Sequence, residues 1–142
     1  MRGRRLKAIR GAVCARANTS GAIESAAEEL VGAIERENAI TPEEVVSALF
    51  TVTPDLDAQF PAAGARRAGW ASVPLLCARE IPVPGDLPRC IRVLVHAYLP
   101  VGREPRHVYL GEAARLRPDW TDLQASNGQA GASSTPTERE SS

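Results

Sequence analysis

Apolar residues recur at helical spacing over residues 20–37, the longest regular pattern in the chain. Glutamates occupy most of the opposite face, and Asn18-Thr19-Ser20 supplies N-cap residues immediately before the pattern. The pattern therefore predicts an amphipathic helix that ends near Asn38, with a solvated acidic face to which we assign no chemistry. The apolar positions, at i, i+3, i+4 and i+7 spacing, are Ile23, Ala26, Ala27, Leu30, Val31 and Ile34.

Short apolar and β-prone runs predict strands in the rest of the chain. Thr41-Pro42 predicts a short helix before the second run, since threonine caps helices and proline suits the first helical position. A short helix or ordered loop is expected over residues 55–69, and one helical turn over residues 111–117. The predicted strands cover residues 6–13, 47–53, 70–81, 90–98 and 107–110.

This order of elements predicts an α+β domain with a mixed β-sheet and helices on one face. The other face of such a sheet needs a cover, so we expect the chain to form an oligomer through it. The predicted domain spans residues 6–120, between disordered ends at residues 1–5 and 121–142. The second of these ends has almost no apolar residues with which to offset the entropy of ordering.

Charge and cysteine content limit the possible functions. Lys+Arg 17 and Asp+Glu 17 give a net charge of +0, which argues against a nucleic-acid partner. No apolar run is long enough to span a membrane, and none follows the basic start as in a signal peptide. Because the three cysteines have no CxxC spacing and the two histidines lack ligand spacing, we predict a reduced, cytoplasmic protein with neither a disulfide framework nor a metal site.

Two charged residues in apolar, β-prone runs are the best candidates for chemistry. Glu80 ends the run before the loop at residues 82–86, and Arg92 begins the run after it. A charge inside a sheet is costly unless it is paired or bound to a ligand. Arginines and a tyrosine in other segments could hold a carboxylate, because the planar guanidinium donates paired hydrogen bonds. These residues alone suggest a small carboxylated anion, bound without metal or cofactor.

Five short motifs then occur in order between about residues 6 and 119. They are Ala8-Ile9-Arg10-Gly11-Ala12; Thr53-Pro54-Asp55-Leu56 with Phe60-Pro61-Ala62; Gly69-Trp70 with Val73-Pro74; Cys90-Ile91-Arg92-Val93; and Arg106-His107-Val108-Tyr109-Leu110 with Leu116-Arg117-Pro118. Together they resemble the monofunctional chorismate mutases of the trimeric, pseudo-α/β-barrel class. The resemblance implies a homotrimer with sites between subunits, which rearranges chorismate to prephenate in phenylalanine and tyrosine biosynthesis without a cofactor.

The resemblance also implies a role for each matching residue. Arg92 would donate to the ether oxygen of chorismate, and Glu80 would accept a hydrogen bond from the ring hydroxyl. Arg10 and Tyr109 would hold a substrate carboxylate, and Cys77 would contact the ring hydroxyl region through its thiol or backbone. The other implied substrate contacts are Phe60, Ala62 and Leu116, which are apolar, and Arg66 and Arg117, which would attract and cover the dianion.

The chain departs from the family pattern near the implied entrance to the site. It is one residue shorter between the Phe-Pro-Ala motif and the Gly-Trp motif, so Arg66 and Arg67 compete for one role. Ala63 stands where a lysine is frequent, which removes a positive charge. Leu76 stands where a hydroxyl residue is frequent, which changes the local hydrogen bonding.

Strict alternation along the predicted strand would place Cys77 and Glu80 on opposite faces, so we expect a bulge or bend between them.

The alternatives to the mutase are a binding protein and a different enzyme. A non-catalytic, small-anion-binding or regulatory trimer would keep the fold without turnover. An imine or enamine deaminase of a related trimeric (RidA-like) fold would also use arginine. Glu80 and Tyr109 together with Arg92 favour the mutase.

Overall fold

The computed structural model describes residues 3–117, and a mixed sheet of five strands forms its centre. The strands are β1 (Arg4–Cys14), β2 (Val45–Val52), β3 (Leu75–Arg79), β4 (Cys90–Pro100) and β5 (Val108–Tyr109). Their order across the sheet is β3-β2-β4-β1-β5. Strand β4 is antiparallel to both β1 and β2, whereas the edge strands β3 and β5 are parallel to β2 and β1.

The long amphipathic helix is α1 (Ser20–Asn38), with the bounds that its sequence pattern predicts. The Thr19 hydroxyl accepts a hydrogen bond from the Ala22 N–H at 3.1 Å and so caps the first turn. Ala39 ends the helix in the left-handed conformation, with φ of 53°, and its N–H bonds to the Glu35 carbonyl. The predicted N-cap and the predicted end near Asn38 are therefore confirmed.

Short helical segments connect the remaining strands. A 3₁₀ turn at Pro42–Glu44 begins with a capping box on Thr41, and another lies at Gly111–Leu116. Helix α2 (Pro61–Ala65) continues into a wider turn at Arg66–Trp70. The short helix expected within residues 55–69 is thus present at Pro61.

Side-chain alternation along β4 separates two faces of the sheet. Ile91, Val93 and Val95 are buried in the hydrophobic core with the apolar side of α1, whereas Arg92 and Leu94 are half-exposed on the other face. We call this second face the open face. Helices on one face and a mixed sheet confirm the predicted α+β class.

The ends of the predicted domain need one correction. Strand β1 begins at Arg4, so Arg4 and Arg5 pair with Pro100 and Leu99 instead of belonging to a disordered extension. The predicted tail at residues 121–142 lies outside the described residues. Within residues 3–117, no helix is long and apolar enough to cross a membrane.

Candidate active site

Strand β2 lies between β4, which carries Arg92, and β3, which ends one residue before Glu80. Thr51 of β2 pairs with Arg92 of β4 on one side and with Ala78 of β3 on the other. Its hydroxyl donates a hydrogen bond to Glu80 Oε2, and Arg92 Nη1 lies 3.4 Å from Glu80 Oε1. Thr51 therefore holds Glu80 beside the guanidinium on the open face.

Arg92 is a partly buried cation between two carboxylates. Its Nη2 atom lies 3.5 Å from Asp86 Oδ1, in the loop after β3. Burial alone would lower the pKa of Arg92, but the charge of Glu80, with smaller contributions from Cys90 and Asp86, raises this pKa above its ordinary value. The guanidinium is therefore charged, and its buried Nε has no hydrogen-bond partner within residues 3–117.

The expected bulge between Cys77 and Glu80 is wrong. Strand β3 stays in regular register with β2 from Leu75 to Arg79, and the Glu80 N–H still donates to the Val52 carbonyl at 2.8 Å. Alternation therefore places Glu80 on the open face and Cys77 on the opposite face, where it packs against the hydrophobic core. One chain does not direct both side chains to the same side of the sheet.

The open face also carries the residues predicted to hold a substrate carboxylate. Arg10 of β1 pairs with Leu94, and Tyr109 of β5 pairs with Ala12, which itself pairs with Arg92. The strand register thus aligns Arg10, Tyr109 and Arg92 on one face.

His107 fixes the position at which β5 meets β1. Its Nδ1 atom accepts a hydrogen bond from the Arg10 N–H at 3.0 Å. Burial, together with the charges of Arg10 and Arg117, lowers the pKa of His107. The ring therefore stays neutral at pH 7 and keeps the lone pair that this hydrogen bond needs.

A small apolar cluster covers the end of the open face near Arg92. It contains Ala12, Cys90 and Ala113, and Leu116 packs against it. The 3₁₀ turn at Gly111–Leu116 thereby places Leu116 next to the strands that carry the charged residues. Arg117 follows at the end of the described chain.

The Thr-Pro-Asp motif holds the start of β4. The Thr53 hydroxyl accepts a hydrogen bond from the Cys90 N–H at 2.9 Å and donates to Asp55 Oδ1 at 2.6 Å. Asp55 in turn accepts from the Arg89 N–H at 2.9 Å. Because Arg92 follows Cys90 by two residues, this network sets the point at which the arginine enters the sheet.

The other predicted contacts form a second group at the β3 edge. Phe60 and Cys77 line an open cleft of about 470 Å³, and Phe60 is 66% exposed. The Ala62 N–H contacts the Cys77 sulfur, and Arg66 lies close enough to influence it. Burial raises the pKa of the Cys77 thiol, which these two neighbours offset only in part, so Cys77 is a neutral thiol at pH 7.

The structure distinguishes the two adjacent arginines of this second group. Arg67 forms ion pairs with Glu24 and Glu28 of α1, the second at 3.5 Å. The side chain of Arg66 is exposed and forms no ion pair or hydrogen bond within the described chain. The Arg67 side chain is therefore held against α1 by its ion pairs, and Arg66 is the arginine available for an anionic ligand.

Three comparisons connect this arrangement with known proteins. The family model described as chorismate mutase type I matches residues 6–120. The chain belongs to this family. Chorismate mutase AroH of Thermus thermophilus is 48% identical over 122 residues, which cover 84% of this chain and 99% of that protein. The enzyme of the same name from Bacillus subtilis is 40% identical, over 80% of this chain and 91% of its own.

A solved structure agrees with both sequence comparisons. A chorismate mutase from Clostridium thermocellum superposes with a TM-score of 0.72 at 40% identity, covering 77% of this chain and 98% of that one. The resemblance drawn from five short motifs is thereby confirmed at the level of the type I chorismate mutase family and its fold.

Two residues that contact Glu80 and Arg92 were not identified from the sequence. Thr51 donates to Glu80, and Asp86 pairs with Arg92. Thr51 gave no signal, because a threonine in a strand is ordinary and its neighbours across the sheet are 27 and 41 positions away. Asp86 lies in a Pro-Gly turn, where aspartate is common for local reasons. Within residues 3–117, no cluster of histidine, cysteine or acidic side chains could hold a metal ion.

Proposed function

We propose that this chain is a chorismate mutase, which rearranges chorismate to prephenate in the biosynthesis of phenylalanine and tyrosine. The observation that carries the proposal is the ion pair of Arg92 with Glu80 on the open face, where the Thr51 hydroxyl also bonds to Glu80 and where Arg10 and Tyr109 lie. Membership in the type I family supports it. The enzyme would act in the cytoplasm, without a metal, cofactor, membrane or nucleic-acid partner.

The reaction needs no nucleophile, and fixed charges in the enzyme can accelerate it. It is a unimolecular [3,3] rearrangement, in which the ether C–O bond breaks ahead of C–C bond formation. Negative charge grows on the ether oxygen, and positive character grows on the ring. An enzyme can accelerate this step by holding the compact chair conformer and by placing preorganised charges at both poles.

Arg92 and Glu80 supply the two poles in this proposal. The charged Arg92 would donate to the ether oxygen, and its buried, unpartnered Nε is a donor that such an acceptor would satisfy. Glu80 would accept from the ring hydroxyl and face the electron-poor ring. Since Thr51 already fixes one Glu80 oxygen, little reorganisation is needed when chorismate enters.

The second group of residues would come from a neighbouring subunit of a homotrimer. Cys77 lies on the opposite face of β3 from Glu80, and Phe60 lines the cleft beside it. In the proposed trimer, Phe60, Ala62, Cys77 and Arg66 of one subunit would close the site of the next. Arg10 and Tyr109 would hold one carboxylate, with Leu116 as apolar wall and Arg117 as a further cation.

The direct test is turnover of chorismate by the purified protein. We expect the ultraviolet absorbance of chorismate to fall, and acid treatment to convert the product to phenylpyruvate, which identifies prephenate. The control is the Arg92→Ala variant at the same concentration. No turnover at millimolar chorismate by a folded trimer would contradict the proposal and favour a binding protein of the same fold.

A further inference from the structure

Two cysteines lie directly opposite each other on neighbouring strands. Cys14 at the end of β1 pairs with Cys90 at the start of β4. The Ala15 N–H donates to the Arg89 carbonyl at 2.8 Å, so the ladder bonds flank this pair and do not join it. In such a non-hydrogen-bonded antiparallel pair the Cα atoms are about 4.5 Å apart. Disulfides span Cα separations of about 4.4–6.8 Å, so the backbone already suits a bond.

The surroundings of the pair also favour a bond between the two sulfurs. Cys90 is fully buried with Ala12 and Ala113, and the half-exposed Cys14 packs against the same cluster. The two thiols lie close enough for each to influence the pKa of the other. Cys77, the third cysteine, faces the core from β3 and has no second cysteine opposite it.

We propose that Cys14 and Cys90 form a reversible disulfide across β1 and β4 when the protein meets a peroxide, and that this bond lowers turnover at Arg92. The covalent part is independent of the proposed function, whereas the effect on turnover rests on it. A transient bond of this kind agrees with a protein that otherwise keeps its cysteines reduced.

The chemistry balances with a peroxide as the oxidant. The Cys14 thiolate attacks one peroxide oxygen, the O–O bond breaks, and the products are a sulfenic acid and water. The Cys90 sulfur then attacks the Cys14 sulfur, the S–O bond breaks, and the hydroxide leaves as water with the Cys90 proton. Two thiols are oxidised and one hydrogen peroxide is reduced to water.

Reaction is expected to be slow at neutral pH. Burial raises the pKa of Cys14, and burial also raises the pKa of Cys90 to about 12. Because the thiolate is the reactive form, oxidation should accelerate as the pH rises above 7.

The bond would affect the site through Arg92. Cys90 precedes Arg92 by two residues on the same strand face, and its thiol contacts the guanidinium. A disulfide draws the Cys90 sulfur, to which the guanidinium donates, towards β1. Arg92 then loses a neighbour that holds its side chain in place.

Peptide mapping after hydrogen peroxide tests the covalent step. Intact protein should lose about 2 Da, the mass of two hydrogens. Trypsin should then release residues 11–16 linked to residues 90–92, and dithiothreitol should separate them. The matched controls are Cys77→Ser, which should still form the link, and Cys14→Ser, which should not. Oxygen adducts on separate cysteines, or links through Cys77, in place of that peptide would overturn the proposal.

Turnover of chorismate tests the consequence. In the wild type, kcat should fall at least about tenfold as the link forms and recover on reduction, since small displacements of a catalytic group cost up to about 10²-fold. Cys14→Ser should keep its activity under the same peroxide treatment. Unchanged kcat in fully linked protein would overturn the claimed control of Arg92, and an inactive reduced protein would instead contradict the proposed function.

Discussion

Thr51 joins the two charged residues of the site, although it carries no charge itself. Its hydroxyl donates to Glu80, whose other oxygen faces Arg92 at 3.4 Å. The side chain of Glu80 is only 17% exposed, so a lost hydrogen bond is not replaced freely by water. At the scale of single residues, the site therefore depends on a position that has no chemical role of its own in the reaction.

Replacing Thr51 by valine tests this dependence, because valine keeps the shape and removes the hydroxyl. A hydrogen bond to a charged group contributes about 1.5–3 kcal/mol. If most of that is lost from the transition state, kcat should fall by about tenfold or more in a chorismate assay. Thr51→Ser, which keeps the hydroxyl, should retain most activity. Equal kcat in the valine variant and the wild type would contradict the proposed role.

Arg92→Lys tests the cation at the ether oxygen. Lysine keeps the charge but loses the planar fork and places its nitrogen differently. We expect kcat to fall by at least about 10²–10³, the scale for removing one preorganised donor. Arg67→Lys, on a side chain committed to α1, is the control and should leave kcat nearly unchanged. A higher KM with unaltered kcat in Arg92→Lys would show that Arg92 only binds substrate.

Close packing of α1 against α2 is the main constraint at the scale of elements. Gly64 lies where α2 crosses α1, and a Cβ there would overlap the carbonyl oxygen of Glu24 and approach the Ala27 Cβ to 3.0 Å. A backbone carbonyl within a helix cannot move aside cheaply. This contact also sets the position of α2, which begins directly after Phe60 at the cleft.

Gly64→Ala should therefore destabilise the protein, by about 1–3 kcal/mol, the usual scale of overpacking. Gly32→Ala is the matched control, since its Cβ would meet only Arg36 Nη1 at 3.5 Å within the described structure. Alanine there should stabilise α1 by about 0.5–1 kcal/mol. Urea unfolding measures both. A neutral or stabilising Gly64→Ala would mean that the two helices do not pack as closely as described.

At the scale of the whole molecule, the two groups of candidate residues lie on opposite faces of β3. Arg92 and Glu80 belong to the open face, and Phe60 and Cys77 belong to the cleft at the β3 edge. A cyclic trimer could join the open face of each subunit to the edge of the next. Activity would then belong to the assembly and not to one chain.

Mixing two inactive variants tests this arrangement. One carries Arg92→Ala and the other Phe60→Ala with Arg66→Ala. If each site combines two subunits, co-expression should restore about one intact site in each mixed trimer. Mixing Arg92→Ala with Glu80→Gln, which damages the same group twice, should restore none. Activity no higher than the sum of the separate variants in the first mixture would contradict shared sites.

The sequence by itself determined the elements and the residue chemistry. The 3.6-residue period and the Thr19 cap define α1 because they are local properties, and Glu80 and Arg92 stand out because charges are rare in β-prone runs. The type I family and the α+β class follow from such local patterns and short motifs. The predicted strand lengths and the predicted start of β1 were less accurate, because the ends of a strand depend on partners that are distant in sequence.

Only the tertiary structure decided which residues meet. It placed β2 between β3 and β4, and so made Thr51 the link between Glu80 and Arg92. It kept β3 regular, which sends Cys77 and Glu80 to opposite faces where the sequence suggested a bulge. Strand order and register arise from long-range packing of one apolar face against α1, and no local pattern encodes that choice.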